Sequence, residues 1–281
     1  MRKKTIKEKE IKLQLSTSRI QSYLHCPKKY WWTYLQNLVP KVTARPLKVG
    51  GVVHDLLEKY NKGELTQSFL NNLLGWVAER YPDVENPEEA LDIAAEAANL
   101  VLGYLRTYED DPFEIVSPEV HLELERKDYI LYTRLDNLCR GRDGRLWRGE
   151  YKTTGRLDSA YLSGLKGGLQ SGIAQIILKE VMPERVTGTV YSLLVKTKVP
   201  SYHRMPVPLE SGLIPRTEEC IKGVVRGIKE GLFYPSMQCY PYNRECEYLP
   251  LCKHDSEATR EAFYTERKEY LPKQEKSEEE V

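Results

Sequence analysis

The stretch YILYTRLDNLCRGRDGRLWRGEYKTTG, Tyr129–Gly155, decides the fold class. Tyr129–Cys139 and Arg145–Thr154 carry the aromatic, branched and aliphatic residues of strands, and GRDG, Gly141–Gly144, separates them as a tight-turn signal. Residues two apart in a strand share a face. Leu131 and Leu135 therefore line one face of the first strand, while Tyr132, Arg134 and Asp136 line the other. In the second strand Glu150 and Lys152 stand side by side and Tyr151 looks away. Pairing across the turn sets Asp136 near Glu150, with Lys152 adjoining. Two carboxylates brought together repel unless a proton or a divalent cation compensates them, and oxygen ligands suit magnesium or manganese. A lysine beside such a cation can hold an attacking water and stabilise charge developing on a phosphate. The bland alternative is an exposed strand edge, with Glu150 and Lys152 as a weak ion pair and Asp136 ending its strand.

Working outward, strand signals begin upstream near Glu119 with VHLELE, which makes an antiparallel meander with the two strands above. Downstream, GLQSGIAQIILKEVM reads as a helix, VTGTVYSLLVKTK as β-rich, and TEECIKGVVRGIKEGLF as a further helix. Toward the N-terminus Ser16 or Thr17 caps a helix whose apolar face includes Ile20, Tyr23 and Leu24. Pro27 ends it and opens KKYWWTYL, so Cys26 sits at a helix junction. Gly50 and Gly51 precede VVHDLLEKY, where Val53, Leu56, Leu57 and Tyr60 form a helical stripe with His54 and Glu58 one turn apart beside it. Residues 67–108 read as two more helices. The sum is an α/β core with a helical insertion over about residues 61–118.

Composition bounds the function. The 281 residues and their 41% hydrophobic content suit a globular protein, and no apolar run is long enough to span a membrane. The opening MRKKTIKEKE lacks the apolar segment of a signal peptide, so a cytoplasmic location is expected. Lysine plus arginine, 42, nearly balance aspartate plus glutamate, 41, so any polyanion must be met by a local groove rather than a global field. Charged ends give a flexible tail over residues 1–15 and a charged helix or tail over 256–281, around one domain expected at 16–255.

The aspartate, the hairpin and the acid-x-lysine that follows resemble the PD-(D/E)XK nuclease superfamily. Further segments resemble its RecB-like and Cas4-like branch: STSRIQSYLHCPKKYWWTYL its opening helix with Cys-Pro and aromatics, GGVVHDLLE its G-x-x-x-H helix, GLQSGIAQ its glutamine motif, and the C-terminal cysteines its cluster motif. The resemblance spans about residues 16–255 in the family's order. It implies a restriction-endonuclease-like core, a central mixed sheet flanked by helices. It further implies that His54, Asp136, Glu150 and the backbone carbonyl of Tyr151 hold manganese or magnesium, that Lys152 positions water, and that Gln170 lines the pocket. Members often carry a tyrosine four residues after that glutamine, where this chain has Ala174, and Gln175 leaves a second register open. Implied partners are DNA, single-stranded or with a free end, and the proteins of a recombination, CRISPR or viral system, with a prokaryotic or viral origin. Lys28, Lys29, Arg134 and Arg156 are candidates for phosphate contacts. Tyr30, Trp31 and Trp32 could stack on bases, but their helical spacing near Cys26 favours packing.

Six cysteines in such a chain argue against a disulfide framework. Cys239, Cys246 and Cys252 have six and five residues between them, without the tight knuckles of a structural zinc site, and Cys26 lies far upstream. The resemblance implies that these four hold a [4Fe-4S] cluster joining the N- and C-terminal segments, with zinc as the alternative. Cys139 and Cys220 read as small buried residues. The implied activity is a metal-dependent deoxyribonuclease, an exonuclease rather than an endonuclease. The chain is longer than compact Cas4-like proteins, which suits a stand-alone RecB-like enzyme. The rival is a catalytically silent DNA-binding or assembly subunit of the same fold.

Overall fold

A computed structural model describes residues 12–84, 86–241 and 244–266, and the chain divides into two compact units, Met1–Leu24 with Thr43–Leu232 and His25–Val42 with Phe233–Val281. The sequence reading expects one continuous domain instead. The second unit forms from two stretches far apart in the chain, so nothing local announces it. Most of both expected tails lies outside the described residues. Residues 13–15 correct the N-terminal one, since they form a strand with Leu15 fully buried.

The first unit is built on a six-stranded mixed sheet. Its strands, numbered along the chain with β2 and β8 left to the second unit, are β1 (Leu13–Leu15), β3 (Phe113–Glu125), β4 (Tyr129–Gly141), β5 (Leu146–Thr154), β6 (Val186–Val195) and β7 (Ser201–Pro208). Strands β3, β4 and β5 are the expected antiparallel meander, and the β4–β5 register sets Asn137 opposite Gly149. Gly144 closes their turn at φ 78°, a left-handed conformation that suits glycine. Strand β3 starts at Phe113 rather than near Glu119, so the expected insertion overruns into the sheet. The polar alternation of EIVSPE hides that start, and a bulge between Ile115 and Ser117 breaks its period. Strand β6 lies parallel to β5, so the chain crosses over between them through α7 (Ser159–Gly167) and α8 (Leu169–Val181). Neither α7 nor β7 is anticipated by the sequence reading.

The sheet forks at one place. Strand β4 is lined by β3 along one edge, but its other edge pairs first with β1 at Tyr129–Leu131 and then with β5 at Asn137–Arg140. Between these two stretches Tyr132–Asp136 have no ladder partner on that side among the described residues.

Each face of the sheet carries its own layer. On one, α3 (Arg45–Asn61), α5 (Leu73–Arg80) and α6 (Pro87–Thr107) bury Val53, Leu56, Leu57, Val77, Ile93 and Leu100 against Tyr151 and Leu194. On the other, Ala174 and Leu178 of α8 pack on Leu135, Leu138, Leu146 and Val186. Each such aliphatic side chain contributes about 1.5–3 kcal/mol on burial. A short α4 (Gln67–Asn71) precedes α5, so residues 67–108 hold three helices rather than two, and α9 (Leu213–Lys229) matches the last expected helix. Helix α3 begins before Gly50 and Gly51 and runs through them. A Cβ on Gly51 would come within 2.3 Å of the Tyr81 hydroxyl, so this glycine marks a close approach, not a helix start. Tyr60, at the end of the expected stripe, is half exposed.

Helix α1 (Thr17–His25) is capped by Ser16, whose hydroxyl accepts the Arg19 N–H at 3.4 Å. Ile20 and Tyr23 are buried but Leu24 is 52% exposed, which narrows the expected apolar face.

In the second unit α2 (Pro27–Tyr30) continues into a π-helical turn at Trp31–Leu35. Strands β2 (Leu38–Pro40) and β8 (Tyr264–Glu266) pair antiparallel. Helices α10 (Leu249–Lys253) and α11 (Glu257–Phe263) lie between them in sequence. Trp32, Leu38, Tyr248, Leu251 and Tyr264 form the core, and the Tyr248 hydroxyl donates to the Leu38 carbonyl at 2.8 Å. Tyr30 is buried and stacks on Phe233, so Tyr30 and Trp32 are packing residues, not base platforms. No helix among the described residues is long and apolar enough to cross a membrane.

Candidate active site

Strand alternation puts Arg148, Glu150 and Lys152 on one face of β5, toward α8, while Tyr151 enters the opposite core and receives the Asn61 amide on its hydroxyl at 3.1 Å. The Lys152 ammonium donates to Glu150 Oε1 at 2.6 Å and to Gln170 Oε1 at 2.9 Å, and Gln170 Nε2 donates to the same Glu150 oxygen at 2.7 Å. Three side chains thus close a triangle between β5 and the first turn of α8. Gln175, the other register, is buried elsewhere on α8 and donates to Ser171, while Ala174 belongs to the apolar core.

The second Glu150 oxygen accepts from Arg148. Arg148 has 0% of its surface exposed, and its Nε and Nη1 donors have no partner among the described residues. Sequence reasoning missed this residue. The signal was present in the same period of two that grouped Glu150 with Lys152, but an arginine in a strand is more often solvated. Burial alone pushes the Glu150 carboxyl up, yet the Arg148 guanidinium and the Lys152 ammonium outweigh it and hold Glu150 well below the usual carboxylate range. Burial likewise presses Lys152 down, and Glu150 more than reverses it. Lys152 is therefore a charged donor rather than a base. Breaking a buried pair such as Arg148–Glu150 leaves an uncompensated charge and costs about 3–5 kcal/mol.

Asp136 sits where β4 and β5 part. Its Oδ2 accepts the Tyr151 backbone N–H at 2.7 Å, and its Oδ1 lies 3.3 Å from His54 Nδ1. His54 comes from α3, the layer opposite to α8, so the fork lets groups from both faces meet. Burial presses the imidazole pKa down; the Asp136 hydrogen bond and charge, with the charge of Glu150, outweigh it and leave it raised. Of the expected quartet, His54 and the Tyr151 backbone N–H thus meet at Asp136, and Glu150 lies near enough for its charge to act on the imidazole. As it stands, each acid is satisfied by protein donors, and among the described residues no three His, Cys, Asp or Glu side chains converge tightly enough to hold a metal ion.

A cleft beside His54, Asp136 and Tyr151 is also lined by Glu58, Glu119 and Arg134. Glu119 has φ 44° in the middle of β3, between the paired residues Pro118 and Val120. A left-handed non-glycine residue in a strand stores strain, of order 1–3 kcal/mol. It turns the carboxylate toward Lys62, 2.8 Å away, and Arg134, 3.1 Å away. Burial and the Glu119 carboxylate raise the Glu58 pKa, while the hydrogen bond from Glu58, with Lys62 and Arg134, lowers Glu119 to about 2. Of the two, Glu119 is therefore the acid held ionised, by Lys62 and Arg134.

Of the candidate phosphate contacts, Arg134 lines this cleft and Arg156 is exposed beside Asp158 at 3.5 Å. Lys28 and Lys29 belong to the second unit. Lys28 lies 3.8 Å from the Trp31 ring centre and Lys29 pairs with Glu247 at 2.6 Å.

The second unit also brings Cys26, Cys239, Cys246 and Cys252 into one neighbourhood. The Cys246 N–H donates to the Cys239 carbonyl at 2.7 Å, and Cys252 feels the charges of Cys26 and Cys239. Burial pushes Cys246 and Cys252 up. It also pushes Cys26 up, but N–H groups of Ser236, Lys29 and Lys28 with the Ser236 side chain more than offset it. Cys139 is buried with its thiol pushed up to about 12, whereas Cys220 is only half-buried, against expectation, because it lies on the outer side of α9.

The family model of the PD-(D/E)XK nuclease superfamily matches residues 14–253. Among solved structures, one described as "Putative exonuclease" from Eubacterium rectale is 13% identical, with 86% of this chain and 88% of that chain covered and a TM-score of 0.58, a likeness of fold. Another, described as SSO0001, is 14% identical over 78% of each chain with a TM-score of 0.32, too slight to carry an argument. No curated protein matches the chain significantly.

Proposed function

The chain belongs to the PD-(D/E)XK nuclease superfamily, and on that premise we propose that it is a metal-dependent deoxyribonuclease, acting as an exonuclease on DNA that is single-stranded or has a free end. The observation that carries the reading is the closed triangle of Glu150, Lys152 and Gln170 with Asp136 on the neighbouring strand. A solvated strand edge would leave these side chains in water, whereas Glu150 is 3% exposed. The exonuclease preference follows the RecB-like resemblance; the neighbour from Eubacterium rectale, at 13% identity, bears on the fold alone.

The donor set fits a hard divalent cation, because two carboxylates and an imidazole offer only oxygen and nitrogen. His54, Asp136, Glu150 and the Tyr151 carbonyl are the residues that would hold it. When bound, manganese or magnesium supplies a more acidic water and neutralises charge on the phosphodiester. The chain's own part is positional. Lys152, kept cationic, orients the attacking water by donating to it and faces the charge that gathers on the non-bridging phosphate oxygens. Gln170 holds both Lys152 and Glu150 in that pose. Asp136 stays fixed by the Tyr151 N–H, so its other oxygen, beside His54, does not wander.

In the second unit, four thiols from two distant chain stretches that lie within electrostatic reach of one another, in the family's order, support a [4Fe-4S] cluster on Cys26, Cys239, Cys246 and Cys252, with zinc as the alternative occupant. The cluster would close a loop of more than 200 residues, and its removal should destabilise the unit rather than stop chemistry directly. Iron and acid-labile sulfide in a brown anaerobic preparation, against zinc in a colourless one, decides between them.

End-labelled single- and double-stranded DNA, incubated with manganese, magnesium or chelator, tests the activity. The intact protein is expected to shorten DNA from an end with manganese and to be inert with chelator. Asp136→Asn should lower the rate by about 1,000-fold or more, a loss of about 4 kcal/mol of transition-state stabilisation. Undiminished cleavage by that variant sinks the assignment, and DNA binding without cleavage by the intact protein favours the silent-subunit rival.

A further inference from the structure

We propose that Arg148 is a built-in counter-charge that keeps metal binding weak until DNA arrives, so that metal and DNA are taken up together. The inference rests on the metal-dependent reading above and deepens it. Near the fork, Asp136 and Glu150 supply two negative charges, and Arg148 and Lys152 supply two positive ones. The acids are therefore balanced without any metal ion. A divalent cation drawn to Glu150 must share that carboxylate with a guanidinium already seated on its Oε2.

Lys152 and Arg148 differ in their freedom to yield. The Lys152 side chain is 24% exposed and can swing toward solvent, while that of Arg148 is 1% exposed and cannot. Arginine also cannot shed its proton, so its charge persists at every working pH. Two of its donors lack partners among the described residues, so hydrogen bonding to the fold described does not explain its retention. Apolar residues in place of a buried ion pair are often as stable. A fixed positive charge next to an acid that holds a dication weakens that dication by simple repulsion, which in a buried setting outweighs any gain from orienting the carboxylate. A phosphodiester entering the site brings negative charge and relieves the repulsion. By reciprocity, metal and DNA then tighten one another's binding.

Arg148 is thus a positioning and charge-setting residue, not one that touches the reacting atoms. Binding of manganese alone, followed by electron paramagnetic resonance of the free ion, reads it without turnover. For the intact protein, a non-cleavable phosphorothioate oligonucleotide, with an oligonucleotide-only blank, is expected to tighten manganese about tenfold or more. Arg148→Met should bind manganese about tenfold or more tightly without DNA and lose most of that coupling. Arg148→Lys keeps the charge and should stay near the intact protein in both measurements. Unchanged or weaker manganese binding by a folded Arg148→Met overturns the proposal, as does intact protein whose manganese affinity ignores the oligonucleotide. The second outcome needs no variant, so failure of Arg148→Met to fold does not protect the idea. No manganese uptake at all by the intact protein is a different result, and counts against the metal-dependent reading itself.

Discussion

Two pairs of carboxylates border the same fork in the sheet and solve the same problem differently. Asp136 and Glu150 are compensated by fixed groups: Arg148, Lys152 and Gln170 on Glu150, and the Tyr151 N–H and His54 on Asp136. Glu58 and Glu119 lack a buried arginine and instead share a lysine, Lys62 bridging them 2.5 Å from Glu58 and 2.8 Å from Glu119. A buried, fixed cation keeps an acid ionised and available, whereas a partly exposed lysine between two acids merely makes a close pair tolerable. The first pair is therefore built to present negative charge, and the second to be held in place.

The largest break in that contrast should come from Lys152→Met. It removes the charged donor while Arg148 still covers Glu150, and turnover with manganese should fall by about 100- to 1,000-fold, a loss of roughly 3–4 kcal/mol, with folding retained on circular dichroism. Activity near that of the intact protein would show that the first pair needs no lysine.

A smaller effect is expected for Glu119→Gln, and it depends on pH. The folded pKa of Glu119, about 2, lies below its ordinary 4.5, so its ionisation stabilises the fold. That contribution is complete above about 4.5 and is lost as pH falls through about 2. Urea midpoints of the two proteins should differ at pH 6 and converge on acidification toward pH 2; a gap that widens on acidification contradicts an ionised Glu119 held by Lys62 and Arg134.

The smallest effect belongs to Arg156→Ala. Its 3.5 Å pair with Asp158 is solvated on both sides, and its loss should change stability by less than about 0.5 kcal/mol in the same denaturation assay. Any larger change would mean that surface pairs here are not the weak background against which the buried ones stand out.

Much of this was legible in the residues because strands obey a period of two. That period placed Glu150 beside Lys152, and the GRDG turn fixed the register that brings Asp136 to them. Gln170, named by the glutamine motif, is seen to touch both Lys152 and Glu150. Arg148 obeyed the same period, and was passed over because burial cannot be read from one strand; it takes β4, β6 and α8 together to remove it from water. Glu119 could not be foreseen, since neither its left-handed backbone inside a strand nor the approach of Lys62 from the end of α3 leaves a trace in the local pattern. The glycines at 50 and 51 looked like a helix entrance because close contact with Tyr81, 30 residues on, leaves no local trace. The second unit escaped for the same reason, its core being assembled from stretches some 200 residues apart.

The Tyr151 N–H that rests on Asp136 has a consequence for how the hairpin itself is stitched. Past Asn137 and Gly149 the backbone rungs between β4 and β5 stop, and an aspartate side chain supplies the next one. The acid is at once a reagent and a seam. Evolution cannot move or shorten it without letting the two strands unzip further, and an engineer who grafts this site elsewhere must carry the parting strands along with it.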